Sequence, residues 1–161
     1  MNNALEFTAV ETDAIMIGAR TLYGEARGGG AEGMISVANV IYNRVEAPGW
    51  WGHDLASVCQ TPDQFSCWLP GLDHDAMLRA DLFNISFCAA LAIATQLAAD
   101  IKRDLYYHGG AAGRGTLPSL VGNATYYYAA NMKTPPEWAA KLTFVCEIAG
   151  QRFYEIPGHS A

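Results

Sequence analysis

The sequence predicts a single α+β domain that is mostly helical and carries a small antiparallel sheet near its C-terminus. Three observations support this class. Segments with helical periodicity fill most of the chain before Asn123, short β-branched and aromatic segments follow it, and 51% of the 161 residues are hydrophobic, enough to build one core. We therefore predict one domain over residues 1–161, with 1–11 as a loose lead-in.

The first part of the chain is predicted to form a helical hairpin. Thr12 and Asp13 are an N-cap signal for the first helix, three glycines at 28–30 end it, and a second helix extends from about Ala31 to Val45. One face of the first helix combines small residues with a glutamate: Ala14, Gly18, Thr21 and Glu25. Small side chains on this face allow another element or a ligand to come close.

Glu25 is the candidate catalytic residue of this hairpin. It lies in the last turn of the first helix, where the backbone carbonyl groups and the negative end of the macrodipole disfavour a carboxylate. This effect and partial burial would both raise its pKa, as a general acid at neutral pH requires. A glutamate near a helix end is more often a surface residue, but the neighbours here are Tyr, Gly and Ala rather than the Lys/Glu mixture of a solvated helix.

The second helix has an apolar and a polar face. The apolar face is the predicted core contact: Met34, Val37, Ala38, Ile41 and Val45. The polar face holds four side chains: Glu32, Ser36, Asn39 and Asn43. They either meet solvent or line a cleft together with Glu25, and the sequence leaves both alternatives open.

A long irregular segment at 50–72 follows, with a short helix predicted over Leu55–Cys59. Long loops in compact domains often carry function. This one contains the amide, hydroxyl and aromatic groups that typically hold sugars: Gln64, Phe65, Ser66 and Trp68. Phe65 and Trp68 could equally fill the core, or do both.

A long apolar helix over Asp75–Ala99 is predicted to be the central scaffold of the domain. Its predicted inward stripe is Met77, Leu78, Leu82, Ile85 and Ala89. Strands are then predicted around 124–128, 144–148 and 153–156, with a hairpin turn at 149–152. Helices combined with a small sheet in this way are typical of lysozyme-like folds.

Composition argues against several classes of protein. The net charge of −6 disfavours nucleic acid as a partner, since phosphate binding needs a basic surface. The N-terminus lacks the basic region and apolar core of a secretory signal. The most apolar run, Ile85–Ala99, is short for a membrane span and contains Ser, Thr and Gln, so we expect no stable membrane insertion. We also expect a monomer.

Metal and thiol chemistry fit the sequence poorly. The histidines form no HExxH motif and no close pair: His53, His74, His108 and His159. Four scattered cysteines contain no CxxC; Cys88 and Cys146 lie in apolar segments that favour buried thiols, and Cys59 could pair with Cys67. We therefore expect no metal and no other cofactor.

The segment from Tyr23 to Val45, YGEARGGGAEGMISVANVIYNRV, resembles the signature of the SleB/CwlJ-type cell wall hydrolases, which cleave peptidoglycan. Shorter motifs extend the resemblance over most of the chain: DQFSCW at 63–68, ATYYY at 124–128, PEW at 136–138 and IAGQRFY at 148–154. The resemblance implies a catalytic domain in which Glu25 is the acid and the glycan strand is the substrate.

Two positions depart from the family pattern. A glutamate often found after Glu-Ala-Arg-Gly is Gly29 here, and a histidine pair is replaced by Tyr126 and Tyr128. Both changes bear on substrate preference rather than on Glu25. From residue type and motif position we predict a group of glycan-binding residues: Gln64, Phe65, Ser66, Tyr106, Tyr126 and Tyr128.

A glycosidase usually needs two carboxylates, and only Glu25 is well placed. The resemblance favours a lytic transglycosylase, in which the muramyl 6-hydroxyl attacks the anomeric carbon and one glutamate serves as acid and then base. A hydrolytic muramidase with Glu32 or Asp63 as second carboxylate is the alternative; a peptidoglycan-binding or virion structural module is the non-enzymatic one. Without a signal peptide, such an enzyme would be made in the cytoplasm and reach the wall after release, as phage endolysins do through a holin pore.

Overall fold

The computed structural model of the chain describes residues 6–107 and 116–158, with the side chains of 105–107 left aside. Within these residues, five α-helices come first: α1 Ala9–Ala26, α2 Gly30–Glu46, α3 Leu55–Gln60, α4 Leu72–Arg79 and α5 Ile85–Tyr107. Three strands follow in the order β1-β3-β2 of one antiparallel sheet: β1 Tyr126–Ala129, β2 Thr143–Ile148 and β3 Gln151–Glu155. The predicted α+β class, with its small C-terminal sheet, is confirmed.

Helix α1 begins earlier than predicted. Thr8 is its N-cap: the Thr8 hydroxyl accepts the Glu11 N–H at 3.2 Å, and the Glu11 carboxylate accepts the Thr8 N–H at 2.7 Å. This capping box satisfies two backbone donors that the helix cannot. Residues 9–11 therefore belong to the helix, and the proposed N-cap at Thr12 and Asp13 was wrong.

The small-residue face of α1 is a packing face. A Cβ atom at Gly18 would lie 3.4 Å from Leu55 on α3 and 3.5 Å from Ala94 on α5, so both helices approach the α1 backbone closely there. Thr21, on the same face, is fully buried. Helix α5 packs along α1 and α2 in the main core.

The single helix predicted over Asp75–Ala99 is two helices. Asn84 caps α5, because its side-chain oxygen accepts the Phe87 N–H at 3.0 Å, and the chain turns just before it. Of the predicted inward stripe, Met77 is buried, Ala89 is half-buried, and Leu78, Leu82 and Ile85 are exposed. The face of α5 that does reach the core is Phe87, Ala90, Ile93, Ala94 and Leu97.

Among the described residues, α5 is the one helix long and apolar enough to cross a membrane, with a mean hydropathy of 1.4 over Ile85–Asp104. The apolar run therefore extends beyond Ala99 and is long enough to span a membrane, contrary to the expectation from the sequence. In this fold the helix packs in the core and carries two buried carboxylates, Asp100 and Asp104, near its end. The absence of membrane insertion remains a prediction.

The polar face of α2 neither meets solvent nor lines a cleft with Glu25. The Asn39 side chain accepts the Leu120 N–H at 2.7 Å, and the Asn43 amide donates to the Gly122 and Ala124 carbonyls at 3.0 and 2.8 Å. Both asparagines are buried. They pair with the backbone that leads into β1, so both predicted alternatives were wrong for these asparagines. Glu32, at the start of this face, is exposed to solvent.

The sheet alternates its side chains between two faces. Tyr127 pairs with Phe153 on the face that contacts the helices, whereas Tyr126 and Tyr128 lie on the opposite face of the strand and both contact Trp138. The β2–β3 turn is shorter than predicted: Ala149 and Gly150 occupy it with φ of 49° and 75°, and Gln151 already pairs with Ile148. Two successive positive φ values match the twist of a tight hairpin.

Candidate active site

Glu25 is half-buried in the last turn of α1. Arg27 secures the end of this helix: its guanidinium donates to the Tyr23 and Gly24 carbonyls at 3.3 and 3.1 Å and to the Asp73 carboxylate at 2.7 Å. A cation on the free carbonyl groups offsets the negative end of the helix dipole. The same contact ties α4 to the turn that carries Glu25.

Three donors converge on the Glu25 carboxylate. Oε1 accepts the Cys67 N–H at 2.8 Å and the Ser66 hydroxyl at 3.3 Å, and Oε2 accepts the Tyr127 hydroxyl at 3.0 Å. The donors come from the loop after α3 and from strand β1. The carboxylate is therefore held from two sides in one orientation, the kind of support that a catalytic group needs.

The loop that reaches Glu25 is itself fixed on α1. Trp68 Nε1 donates to the Thr21 hydroxyl at 3.0 Å, and the His74 Nδ1 lies 3.1 Å from the Cys67 carbonyl. Gly24 allows this approach, since a Cβ atom there would lie 2.5 Å from the Cys67 Cβ. A glycine just before the glutamate is thus needed for the loop to bring its donors to the carboxylate.

Sequence reasoning missed Tyr127. Burial, and then the Glu25 charge, raises its pKa well above the ordinary value, so the phenol keeps its proton and stays a donor. Strand alternation was the available signal: the three tyrosines of β1 cannot share a face, and Tyr126 and Tyr128 were the two predicted to bind glycan. Which face turns toward Glu25 depends on how the sheet docks.

Phe65 was predicted to contact sugar but lies in the core, with 2% of its surface exposed. It packs against Tyr127 and lies beneath the buried Arg44 guanidinium, whose pKa desolvation lowers. Arg44 also lies against the rings of Trp51 and Tyr126. The core alternative for Phe65 is confirmed, because a ring enclosed in this way offers no face to a glycan.

A cavity of about 390 Å³, here called the Glu25 cavity, opens beside the carboxylate. Its helix side is formed by the glycine turn and α2, and its sheet side by the end of β1 and the β2–β3 hairpin. Residues that define the two sides include Gly28, Gly29, Gly33, Ala129, Asn131 and Gln151. Its size falls within the range of about 300–1,000 Å³ typical of ligand sites.

Glu25 is the one carboxylate among the described residues that line this cavity. Glu32 is exposed in the first turn of α2, where the helix dipole favours an acid. Asp63 is exposed in a turn with φ of 63°, a conformation that aspartate tolerates. Neither candidate for a second carboxylate is brought to the cavity.

The other predicted binding residues divide between the site and its surroundings. Ser66 lies on Glu25, whereas Gln64 is half-buried outside the cavity lining. Tyr126 packs on Trp51 and Trp138, and Tyr128 is buried against Tyr154, so neither lines the Glu25 cavity. The Tyr106 side chain lies outside the described part of the chain.

Thiol and metal chemistry gain no support here. Cys59 and Cys67 are free and buried, and Cys88 and Cys146 are half-buried. Burial raises the pKa of the Cys59 thiol to about 12 and also raises the pKa of the Cys67 thiol. Protonated thiols are poor nucleophiles.

Within the described ranges, no group of three His, Cys, Asp or Glu residues could hold a metal ion. His108 and His159 lie outside those ranges. The expected absence of cofactors remains a prediction.

Comparison with known proteins shows the family to which this chain belongs. A family model described as Cell Wall Hydrolase matches residues 28–154. The chain belongs to the cell wall hydrolase family. The resemblance to SleB/CwlJ-type enzymes and the prediction of an enzyme that acts on the bacterial cell wall are thereby confirmed. Glu25 lies three positions before the matched range, so its role rests on the site itself and on its sequence motif.

Solved structures show the same fold. The catalytic domain of the germination-specific lytic transglycosylase SleB from Bacillus anthracis is 21% identical, with a TM-score of 0.60, covering 96% of this chain and 100% of that one. The catalytic domain of the Bacillus cereus SleB protein is 20% identical, with a TM-score of 0.63, covering 96% and 98%. No curated protein sequence matches this cell wall hydrolase.

Proposed function

We propose that this cell wall hydrolase is a lytic transglycosylase that cleaves the glycan strands of peptidoglycan, with Glu25 as the general acid and then the general base. One observation carries the proposal: Glu25 is the only carboxylate, within the described part of the chain, that lines the cavity beside it. The name of the SleB neighbour from Bacillus anthracis, a lytic transglycosylase, supports the same reaction.

The reaction needs one proton donor and a hydroxyl supplied by the substrate. Glu25 donates its proton to the glycosidic oxygen as the bond to the anomeric carbon breaks. The 6-hydroxyl of the muramyl residue then attacks that carbon, and the Glu25 carboxylate accepts the hydroxyl proton. The 1,6-anhydro ring closes without water, and the enzyme returns to its starting protonation state.

The groups around Glu25 fit this two-way use of one proton. Tyr127, Ser66 and the Cys67 N–H hold both oxygens without adding a charge. A neutral tyrosine hydroxyl donates to the carboxylate and can accept from the carboxylic acid, so it follows the group through both states. Fixed donors of this kind also keep the acid oriented toward the cavity.

Digestion of purified sacculi in ¹⁸O-water tests the proposal. We expect glycan ends in the 1,6-anhydro form with no ¹⁸O, because the attacking oxygen belongs to the sugar. Reducing muramic acid ends that carry ¹⁸O would instead identify a hydrolytic muramidase. If those ends disappear in Glu32→Gln or Asp63→Asn, the second carboxylate is identified and the transglycosylase proposal is overturned.

An endolysin role remains a proposal of its own. It is motivated by the family, because phage endolysins also cleave peptidoglycan. Expression in a bacterial host with and without a co-expressed holin tests it: lysis that depends on the holin supports release from the cytoplasm, and lysis without a holin contradicts it.

A further inference from the structure

Gln151 opens strand β3 and lies on the face of the sheet that points to the helices. In the strand register, Tyr127 pairs with Phe153 and Ala129 with Gln151, so these four side chains share that face. Phe153 is buried in the small core near α2, and Tyr127 reaches Glu25. Gln151 extends the same face into the Glu25 cavity, which it lines.

The side-chain oxygen of Gln151 is buried and has no hydrogen-bond partner among the described residues. Leaving a buried acceptor unpaired is costly, and native proteins pair nearly all such groups with protein, water or ligand. The last torsion of a glutamine side chain is broad, so a rotation turns either its oxygen or its NH₂ group toward the cavity. The unpaired amide therefore points to a ligand with a matching polar group.

The walls around this amide restrict what that ligand can be. The side chains of Gly28, Gly29 and Gly33 on the helix side, and of Ala129 and Ala149 on the sheet side, are hydrogen atoms and methyl groups. Apart from Glu25, the polar side chains on the lining are Asn131, which is exposed, and Gln151. A small group with an apolar end and one planar polar end fits these surroundings.

We propose that Gln151 binds the 2-acetamido group of the sugar on which Glu25 acts. An acetamido group has one donor, one acceptor and a methyl group; the unpaired Gln151 side-chain oxygen can accept the acetamido N–H, and the alanine walls contact the methyl group. The inference rests on the proposed function, because it assigns a subsite of the same cavity. It makes Gln151 a specificity residue for N-acetylated glycan.

Cleavage of two matched substrates tests the subsite. Glycan strands are freed of stem peptides with an amidase, and one portion is N-deacetylated. The wild type should cleave the native strands with a kcat/KM about tenfold higher than that for the N-deacetylated strands, as expected for the loss of one good hydrogen bond. Chemical re-acetylation should restore the native rate, which excludes damage to the strands.

Gln151→Leu removes the amide at similar size and should bring the ratio of the two rates close to one. Gln60→Leu is the matched control: Gln60 is exposed at the end of α3, outside the Glu25 cavity, and its variant should keep the wild-type ratio. If circular dichroism shows that Gln151→Leu does not fold, the variant Gln151→Met, with an unbranched side chain, replaces it.

Binding provides a readout that does not need turnover. In the Glu25→Gln background, the tetramer of N-acetylglucosamine should bind at least about tenfold more tightly than its N-deacetylated form, and adding Gln151→Leu should remove this preference. If the Gln151 variants keep the full preference in both assays, the subsite is wrong while the proposed function stands. If Glu25→Gln cleaves as fast as the wild type, the proposed function itself fails.

Discussion

The Tyr127 hydroxyl donates a hydrogen bond of 3.0 Å to Glu25 Oε2, joining residues that are 102 positions apart in the chain. The other carboxylate oxygen is held by the loop of Ser66 and Cys67. The sheet and the loop thus each fix one oxygen of the proposed acid. Its orientation depends on how both are docked on α1.

Tyr127→Phe tests the contribution of the sheet. The phenylalanine ring keeps the packing on Phe65 and Phe153, but the carboxylate loses one donor. A hydrogen bond to a charged group contributes about 1.5–3 kcal/mol, so we expect lysis of sacculi to slow roughly 10–100-fold. The melting temperature should fall by several degrees, so activity is compared at a temperature at which both proteins are fully folded.

Tyr154→Phe is the matched control for that variant. Tyr154 is a buried tyrosine on the opposite face of the sheet, with its hydroxyl 3.3 Å from that of Tyr128. Its variant should retain wild-type lysis. Equal losses in the two variants would mean that Tyr127 acts only through the stability of the sheet.

Glu25→Gln tests the acid itself. Glutamine keeps the shape of the side chain and removes the transferable proton, so activity should fall by the roughly 10²–10⁴-fold typical of general acid catalysis, with folding preserved. Glu137→Gln, a substitution of the same kind at an exposed residue outside the Glu25 cavity lining, is the control and should remain active. If the activity of Glu25→Gln stays within a few-fold of the wild-type activity, Glu25 is not the general acid.

Local sequence patterns predicted most helices and the sheet well. Features that depend on how distant segments pack together were not predicted. The glycine turn at 28–30 and the apolar stripe of α2 are encoded within a few neighbouring residues, and the structure places them as predicted. The break before α5 was missed because the apolar residues around Leu82 read as a continuous helix, although Asn84 is a good capping residue. As a result, the exposed residues Leu78 and Leu82 were predicted to lie in the core.

The candidate site shows the same division. Glu25 was proposed from its own helix, since position and neighbours are local information. Its partner Tyr127 was not, because sequence alternation separates two faces of a strand without saying which one turns toward a helix. The buried asparagines of α2 looked like a solvent or cleft face for a related reason: the backbone that they hold, around Leu120 and Gly122, lies about eighty residues later.

Tyr126→Ala distinguishes a structural tyrosine from a glycan-binding one. The sequence predicted a glycan contact, but the ring packs against Trp51 and Trp138 at centroid distances of 6.1 and 5.1 Å and lies by Arg44. Since the residue is half-buried, we expect a loss of about 2 kcal/mol in unfolding free energy, around half of that for a fully buried aromatic ring. Specific activity of the folded fraction should be nearly unchanged; a selective fall in turnover would restore the predicted glycan contact.

Gly29 and Ala149 form the contact that closes the Glu25 cavity at the hairpin. A Cβ atom at Gly29 would lie 2.9 Å from the Ala149 Cβ, so Gly29→Ala overpacks this contact although its φ of −90° is open to alanine. We expect a loss of about 1–3 kcal/mol in chemical denaturation. The family glutamate at this position is absent here, and the contact explains why a side chain would not fit.

Ala149→Gly should reverse most of that loss. It removes the colliding methyl group and also relieves the φ of 49°, which glycine adopts without strain. The double variant should therefore be more stable than Gly29→Ala alone, with a clear coupling energy in the double-mutant cycle. Gly28→Ala is the control, because no atom lies within 4 Å of the Cβ it would add, so its stability should remain close to that of the wild type. Additive effects at positions 29 and 149 would show that the hairpin shifts away from the glycine turn instead of resting on it.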